Sequence, residues 1–160
     1  MIDRDQAWLI AQAQAAYARC IDTDELERWP DFFAEKCFYM VTTADNYRQR
    51  LASRLIWADS HRMLLDRVSA LRKANIYKWQ SYRHILGPPE ARETDSTELG
   101  DIATDTGFLV VRIMWNGSTD VCASGRYLDR WALSDNDPKL TERIVVCDSK
   151  RIDTLLALPL

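Results

Sequence analysis

Histidine is scarce in this sequence, and the scarcity limits the metal chemistry that the chain can perform. Its two histidines, His61 and His84, lie on different predicted elements. A mixed-ligand iron–sulfur cluster needs two cysteines and two histidines at close spacing, and a mononuclear iron oxygenase site needs two histidines and a carboxylate on one face. The sequence offers neither set. We therefore expect no cofactor, iron or zinc site on this chain.

Cysteine is also sparse, and its spacing does not indicate a metal-binding framework. The four cysteines, Cys20, Cys37, Cys122 and Cys147, are far apart in the sequence and have apolar neighbours. This usage is typical of reduced, mostly buried thiols, with a metal or disulfide framework as the less favoured alternative. We expect free thiols and a cytoplasmic location.

Basic excess, glycine-rich loops and long apolar runs are absent as well. Lys and Arg number 21 against 24 Asp and Glu, which leaves a net charge of −3 and disfavours a nucleic-acid partner. Five glycines leave little material for a phosphate-binding loop. No segment approaches the roughly 18 apolar residues of a membrane span, and the charged start lacks the pattern of a signal peptide. We expect neither nucleic acid nor a membrane as a partner.

Helical patterns dominate the first part of the chain. Apolar residues recur at helical spacing over 10–21, behind a capping box formed by Asp3 and Gln6. A second short helix is predicted over 22–28, because the residue before Pro30 is pushed out of the α region. Helices therefore precede the first predicted strand.

Strand and helix signals alternate in the middle of the chain. Segments 37–43 and 55–57 have the β-branched and aromatic composition of strands. Asp59 and Ser60 are suitable N-caps for a helix, and 88–106 is predicted to be an exposed loop with one strand beside it. The apolar stripe of that helix consists of Leu64, Val68 and Leu71.

Three long strands are predicted in the last third, over 108–115, 121–133 and 140–147. Asn116-Gly117 between the first two is a strong hairpin signal, and 134–138 is a second turn. Helices followed by antiparallel strands are typical of the α+β class.

This order of elements resembles the cone shared by NTF2-like (cystatin-like) and ketosteroid-isomerase-like folds. We predict a single domain over residues 1–160. In it, N-terminal helices pack on a strongly bent mixed or antiparallel sheet.

A few polar residues in apolar strands are the candidate site residues: His84 beside Arg83, Arg112, and Asp148 with Ser149. An Asp and a His facing the cavity of a cone could act as general base and acid. Alternatively, Asp148 accepts bonds from an arginine or backbone N–H groups, and His84 is a hydrogen-bonded packing or interface residue. We favour the structural alternative, because buried carboxylates persist when they are paired.

The end of the sequence is unusually apolar. The tail contains Leu155, Leu156, Leu158 and Leu160, with Pro159 before the last residue. Such a tail is expected to pack on its own sheet or on a neighbouring subunit. Six tryptophans also favour an oligomer that buries one or two of them.

Several segments together resemble one protein family. They are Trp-Pro-Asp-Phe-Phe at 29–33, Cys-Phe-Tyr-Met-Val at 37–41, Asp-Arg-Val at 66–68, Tyr-Arg-His-Ile at 82–85 and Cys-Asp-Ser at 147–149. In order and spacing they are similar to the small (beta) subunits of Rieske-type aromatic-ring-hydroxylating dioxygenases. Many members have Tyr-Asp-Ser in the closing segment, where this chain has a cysteine first. The likeness extends most closely to members that act on aromatic carboxylates.

The resemblance implies a partner and a division of labour. It implies an α3β3 hexamer with other beta subunits, in which the large (alpha) subunit carries a Rieske [2Fe-2S] cluster and mononuclear Fe(II). It also implies a separate reductase that supplies electrons from NAD(P)H. The beta subunit is mainly structural in most members, so Arg83, His84, Asp148, Ser149, Leu158 and Leu160 are expected to be structural or interface residues. A free-standing isomerase or dehydratase and a small-ligand binding module of the same fold are the alternatives.

Overall fold

The computed structural model describes residues 2–51, 54, 56–74, 80–95, 100, 102–149 and 159–160. Its helices are α1 (Arg4–Asp22), a 3₁₀ helix (Leu26–Phe32), α2 (Ala44–Arg48) and α3 (His61–Ala74). The strands are β1 (Phe33–Thr43), β2 (Ile56–Ala58), β3 (Gln80–Leu86), β4 (Glu90–Glu93), β5 (Ile102–Met114), β6 (Thr119–Ser134) and β7 (Asp137–Cys147). The α+β class predicted from the sequence is confirmed.

The first helix begins where its capping pattern places it. The Asp3 side chain accepts from the N–H of Asp5, and the Asp3 N–H donates to Gln6, so the capping box is present. The predicted helix over 22–28 is wrong in its bounds. Asp24 takes a positive φ of 61° and ends α1, and a 3₁₀ helix then continues through Pro30. Burial of the Trp29 and Pro30 rings overrides the local preference to stop before the proline.

The strands form one mixed sheet in the order β2-β1-β7-β6-β5-β3, with β4 also paired to β5. Strands β1 and β7 are parallel, whereas the other pairs are antiparallel. The segment predicted as a loop over 88–106 is more ordered than expected, because it contains β4 and the first residues of β5. Pairing to β6 extends β5 back to Ile102, where local composition alone indicated no strand.

Both predicted turns in the last third are present. Gly117 has a φ of +86° between β5 and β6, where its lack of a side chain removes the steric cost. Asp135 and Asn136 both have positive φ between β6 and β7, as a type I′ hairpin turn requires. These tight turns set which residues of the three long strands lie opposite one another.

The sheet bends around α1. Residues of α1 contact β3 and β7, and Gln14 reaches Thr106 on β5 and Asp129 on β6. Four strands at about 4.8 Å spacing span more than the width of one helix, so these contacts require a curved sheet. Register shifts at Val110/Val111 and Arg130/Trp131 supply bulges that favour the curvature.

Candidate functional site

A buried ion pair lies at the centre of the concave face of the sheet. Asp129 on β6 and Arg143 on β7 are opposite each other in the register. Their Oδ1–Nε and Oδ2–Nη2 distances are 2.8 and 2.7 Å, and both side chains are 0% exposed. Gln14 of α1 donates to Asp129 Oδ2 at 3.1 Å and to Thr106 Oγ1 at 3.0 Å. The pair therefore ties the helix to two strands of the sheet.

Aromatic rings enclose the arginine of this pair. The guanidinium carbon of Arg143 lies 4.1 Å from the Tyr17 ring centroid and 4.0 Å from the Tyr127 ring centroid. Burial by itself lowers the pKa of Arg143, and the adjacent Asp129 carboxylate more than offsets it, so the pKa is raised. The guanidinium stays charged and is held between two rings, an arrangement in which cation–π attraction is strong.

Leu160 occupies a second part of the same interior. Its N–H donates to the Tyr39 hydroxyl at 3.0 Å, and its carbonyl accepts from the Tyr17 hydroxyl at 2.8 Å. Burial raises the pKa of both tyrosines, so their hydroxyls remain protonated donors. Of the two docking surfaces expected for the tail, the structure places Leu160 on its own chain's core. Leu155, Leu156 and Leu158 lie outside the described residues.

His84 and Asp22 form a third buried polar group. Asp22, the last residue of α1, lies 2.6 Å from His84 Nδ1 through Oδ1 and accepts from the His84 N–H at 2.9 Å through Oδ2. The two side chains are 1% and 5% exposed, so no substrate reaches the imidazole in this conformation. The structure thus pairs the predicted histidine with a carboxylate and uses the pair to hold α1 on β3.

The other candidate residues do not join these groups. Arg83 is exposed on β3, and Asp148 and Ser149 are exposed after β7. Asp148 was expected to be a buried carboxylate bound by an arginine or by backbone N–H groups. Instead its carboxylate accepts from the Ser124 hydroxyl at 3.0 Å, and its own N–H donates to the Ser124 carbonyl at 2.9 Å. The strand has already left the core at this point, which explains the exposure. Arg112 pairs with Asp120 across the β5–β6 hairpin.

Sequence reasoning missed the central ion pair. A signal was present, because Asp129 lies between Tyr127 and Trp131 at alternating positions of one strand, and all three are buried. Arg143 similarly alternates with Val145 on the next strand. A charged residue in the inward phase of two adjacent strands predicts a buried pair.

The outer face of the sheet differs in character from the interior. Ile85 and Val121 flank β5 and are 52% and 59% exposed, and Trp115 after β5 is 77% exposed. On another part of the surface, Arg54 lies over the rings of Phe38 and Trp57. Exposed large apolar side chains of this kind mark surfaces that other proteins cover.

The described residues do not fit an iron site or a Rieske cluster. His84 Nδ1 is engaged with Asp22, and His61 lies on α3. Within the described ranges, no group of three or more His, Cys, Asp or Glu side chains could hold a metal ion. All four cysteines are free, three are buried, and burial raises the pKa of the Cys147 thiol to about 12, which disfavours the thiolate that binds metals. None of the helices in the described part has the length and apolarity to cross a membrane.

Comparison with known proteins gives a consistent result. The sequence model of the ring hydroxylating beta subunit family matches residues 16–154. The beta 2 subunit of the terminal oxygenase component of terephthalate 1,2-dioxygenase from Comamonas sp. is 52% identical, covering 94% of this chain and 96% of the relative. The anthranilate 1,2-dioxygenase small subunit from Burkholderia cepacia is 34% identical, covering 94% of this chain and 92% of the relative.

A solved structure supports the same relationship. It is described as the beta subunit of an aromatic-ring-hydroxylating dioxygenase from Novosphingobium aromaticivorans, and it superposes with a TM-score of 0.84 at 34% identity, covering 94% of both chains. The predicted NTF2-like cone is thereby confirmed. Since the matches in sequence and in structure both extend over nearly the whole chain, the protein belongs to the family of aromatic-ring-hydroxylating dioxygenase beta subunits.

Proposed function

We propose that this chain is the structural beta subunit of an α3β3 oxygenase that adds both atoms of O2 to the ring of terephthalate. The observation that carries the substrate is the 52% identity, over 151 residues, to a beta subunit of terephthalate 1,2-dioxygenase. The anthranilate relative reaches 34% over a similar length. Anthranilate, salicylate and other benzoates are the alternative substrates.

The interior of the chain supports a role without direct catalysis. Its polar groups are engaged with one another, as Asp129 with Arg143 and Asp22 with His84. Leu160 fills the space between the Tyr17 and Tyr39 hydroxyls. An isomerase or dehydratase of the same fold needs a base that a substrate can reach, and these side chains are enclosed. The ligand-binding and free-standing enzyme alternatives therefore receive no support from the geometry.

The remaining chemistry is assigned to partners in cytoplasm. The large subunit holds the Rieske cluster and the mononuclear iron, which supply oxygen activation, and a separate reductase delivers two electrons from NAD(P)H. Terephthalate, O2, NAD(P)H and a proton give the cis-dihydrodiol and NAD(P)+. The beta subunit supports the large subunits through its outer surface, where large apolar side chains are exposed.

Co-expression of this chain with its large subunit and reductase tests the proposal. We expect one α3β3 complex by size-exclusion chromatography with light scattering, and terephthalate-dependent NAD(P)H oxidation with two ¹⁸O atoms from ¹⁸O2 in the product. Anthranilate in place of terephthalate is the matched control for substrate, and omission of this chain is the control for assembly. Turnover of anthranilate but not terephthalate would overturn the substrate. Full activity of the large subunit without this chain would overturn the structural role.

A further inference from the structure

The interior of the sheet contains a small-ligand site that the chain fills with one of its own residues. The occupant, Leu160, is 2% exposed and belongs to the hydrophobic core. Its N–H donates to Tyr39 and its carbonyl accepts from Tyr17. An apolar group enclosed by the core and oriented by two polar contacts is bound in the way that proteins bind small molecules.

The walls of this site are held by residues other than Leu160. The Tyr17 ring packs under Arg143, 4.1 Å from the guanidinium carbon, and meets Phe32 edge-on at 5.6 Å between ring centroids. The Tyr39 ring meets Trp29 edge-on at 5.3 Å. These contacts join α1, the 3₁₀ helix, β1 and β7, so the two hydroxyls keep their positions when Leu160 is absent. The site is preorganised by the fold.

We propose that this site, defined by Tyr17, Tyr39 and the core around them and named here the leucine socket, binds a branched aliphatic group attached to an amide. The ligand needs an N–H for the Tyr39 hydroxyl, a carbonyl for the Tyr17 hydroxyl and a side chain of the size of leucine. Leu160 is the resident occupant, and it closes an interior that would otherwise be open to such ligands. The socket is distinct from the oxygenase function and does not depend on it.

Ending the chain after Leu158 tests the proposal, because it removes Pro159 and Leu160 from the socket. The variant is made in the complex with the large subunit, and the probe is N-acetyl-L-leucine amide. Hydrogen exchange with mass spectrometry reports on peptides of this chain that contain Tyr17 and Tyr39. We expect faster exchange in the variant, and restoration by the probe with a Kd on the order of 1 mM. The unaltered complex, with its socket filled, should show no response to the probe.

Matched probes and variants sharpen the result. N-acetylglycine amide keeps both polar contacts without the aliphatic group and should fail to restore protection. Adding Tyr39→Phe to the shortened chain should weaken the leucine probe roughly threefold to tenfold, because one hydrogen-bond acceptor is lost. A folded, shortened chain that binds no probe, or that binds the glycine probe equally well, would overturn the proposal.

A second variant decides the question if the shortened chain does not fold. Leu160→Ala keeps both main-chain hydrogen bonds and empties only the aliphatic part of the socket. Enclosed apolar cavities of this kind take up xenon. We expect a concentration-dependent ¹²⁹Xe chemical shift in the Leu160→Ala complex that is absent from the unaltered complex. A folded Leu160→Ala complex without that shift means that the socket collapses, and the proposal is then wrong.

Discussion

The two faces of the curved sheet have opposite characters. The concave face buries charge, as Asp129 and Arg143 show with 0% exposure. The outer face exposes apolar side chains, with Val121 at 59% and Ile85 at 52%. A free-standing enzyme of this fold would need an open polar interior and a wettable exterior. The observed reversal suits a subunit whose interior is a closed scaffold and whose exterior is available to partners.

The difference also shows where sequence change is tolerated in the chain by itself. Interior polar groups depend on one another, so the removal of one leaves a buried partner unsatisfied. Apolar groups on the outer face contribute little to the folding of the chain, because they remain in water. Four substitutions break or sharpen this comparison, in order of decreasing expected effect.

The largest effect is expected for Asp129→Ala. The substitution leaves the Arg143 guanidinium buried and unpaired, and removes an acceptor of Gln14. We expect the free energy of unfolding to fall by about 3–5 kcal/mol in chemical denaturation. Asp105→Ala is the control, because it breaks an exposed pair with Arg126 and should cost less than about 1 kcal/mol. Equal losses for the two variants would show that the interior pair has no special role.

Alkaline pH should destabilise the chain through its buried tyrosines. Burial raises the folded-state pKa of Tyr17, Tyr39 and Tyr127 above the unfolded value near 10. Their contribution is therefore fully present below about pH 10 and is lost as the pH rises above it, by about 1.4 kcal/mol per pH unit for each group. Unfolding measured from pH 9 to 11 should show a slope that Tyr39→Phe reduces by one group's share. Tyr47→Phe, which removes an exposed hydroxyl, is the control, and an identical slope in both variants would contradict the assignment.

A smaller effect is expected for Asp148→Ala. The carboxylate is exposed and holds only the Ser124 hydroxyl, while the main-chain bond between the two residues is retained. We expect a loss of less than about 1 kcal/mol in thermal unfolding. A loss of about 2–4 kcal/mol, as for a buried carboxylate, would mean that the residue is covered in solution. Ser124→Ala should reproduce the effect, since it removes the same hydrogen bond.

The smallest effect is expected for Val121→Lys on the outer face. The side chain is already 59% exposed, so the free energy of unfolding of the isolated chain should change by less than about 0.5 kcal/mol. Val110→Ala, on the inner face of neighbouring β5 at 0% exposure, should cost about 2 kcal/mol and is the matched comparison. A large loss for Val121→Lys in the isolated chain would show that the outer face is part of the core.

Local patterns predicted most of the elements, and they were weakest at boundaries. The α3 stripe of Leu64, Val68 and Leu71 is buried as expected, and Ser60 caps that helix through the Met63 N–H. The start of β5 at Ile102 was not predicted, because pairing with β6 extends that strand beyond its apolar run. The end of α1 at Asp24 was missed for a similar reason, since burial of Trp29 decides the path that follows.

The site was predicted less well than the fold. His84 was recognised as a polar residue in an apolar strand, but its partner Asp22 is 62 positions away in the sequence. Asp129 and Arg143 were each visible as charged residues in strands, yet their pairing depends on the β6–β7 register. Asp148 was judged buried because its neighbours are apolar, whereas the chain leaves the core immediately after Cys147.

The amino-acid sequence by itself determined the class, the family and the order of helices and strands, because periodicity, capping and turn residues act over short distances along the chain. Tertiary structure alone decided which buried groups meet. Tyr17 and Leu160 are 143 positions apart, and their hydrogen bond exists because a bulged sheet curves around α1 and encloses both residues. Periodicity states which face a side chain occupies, but the curvature and register of the sheet determine what lies opposite it.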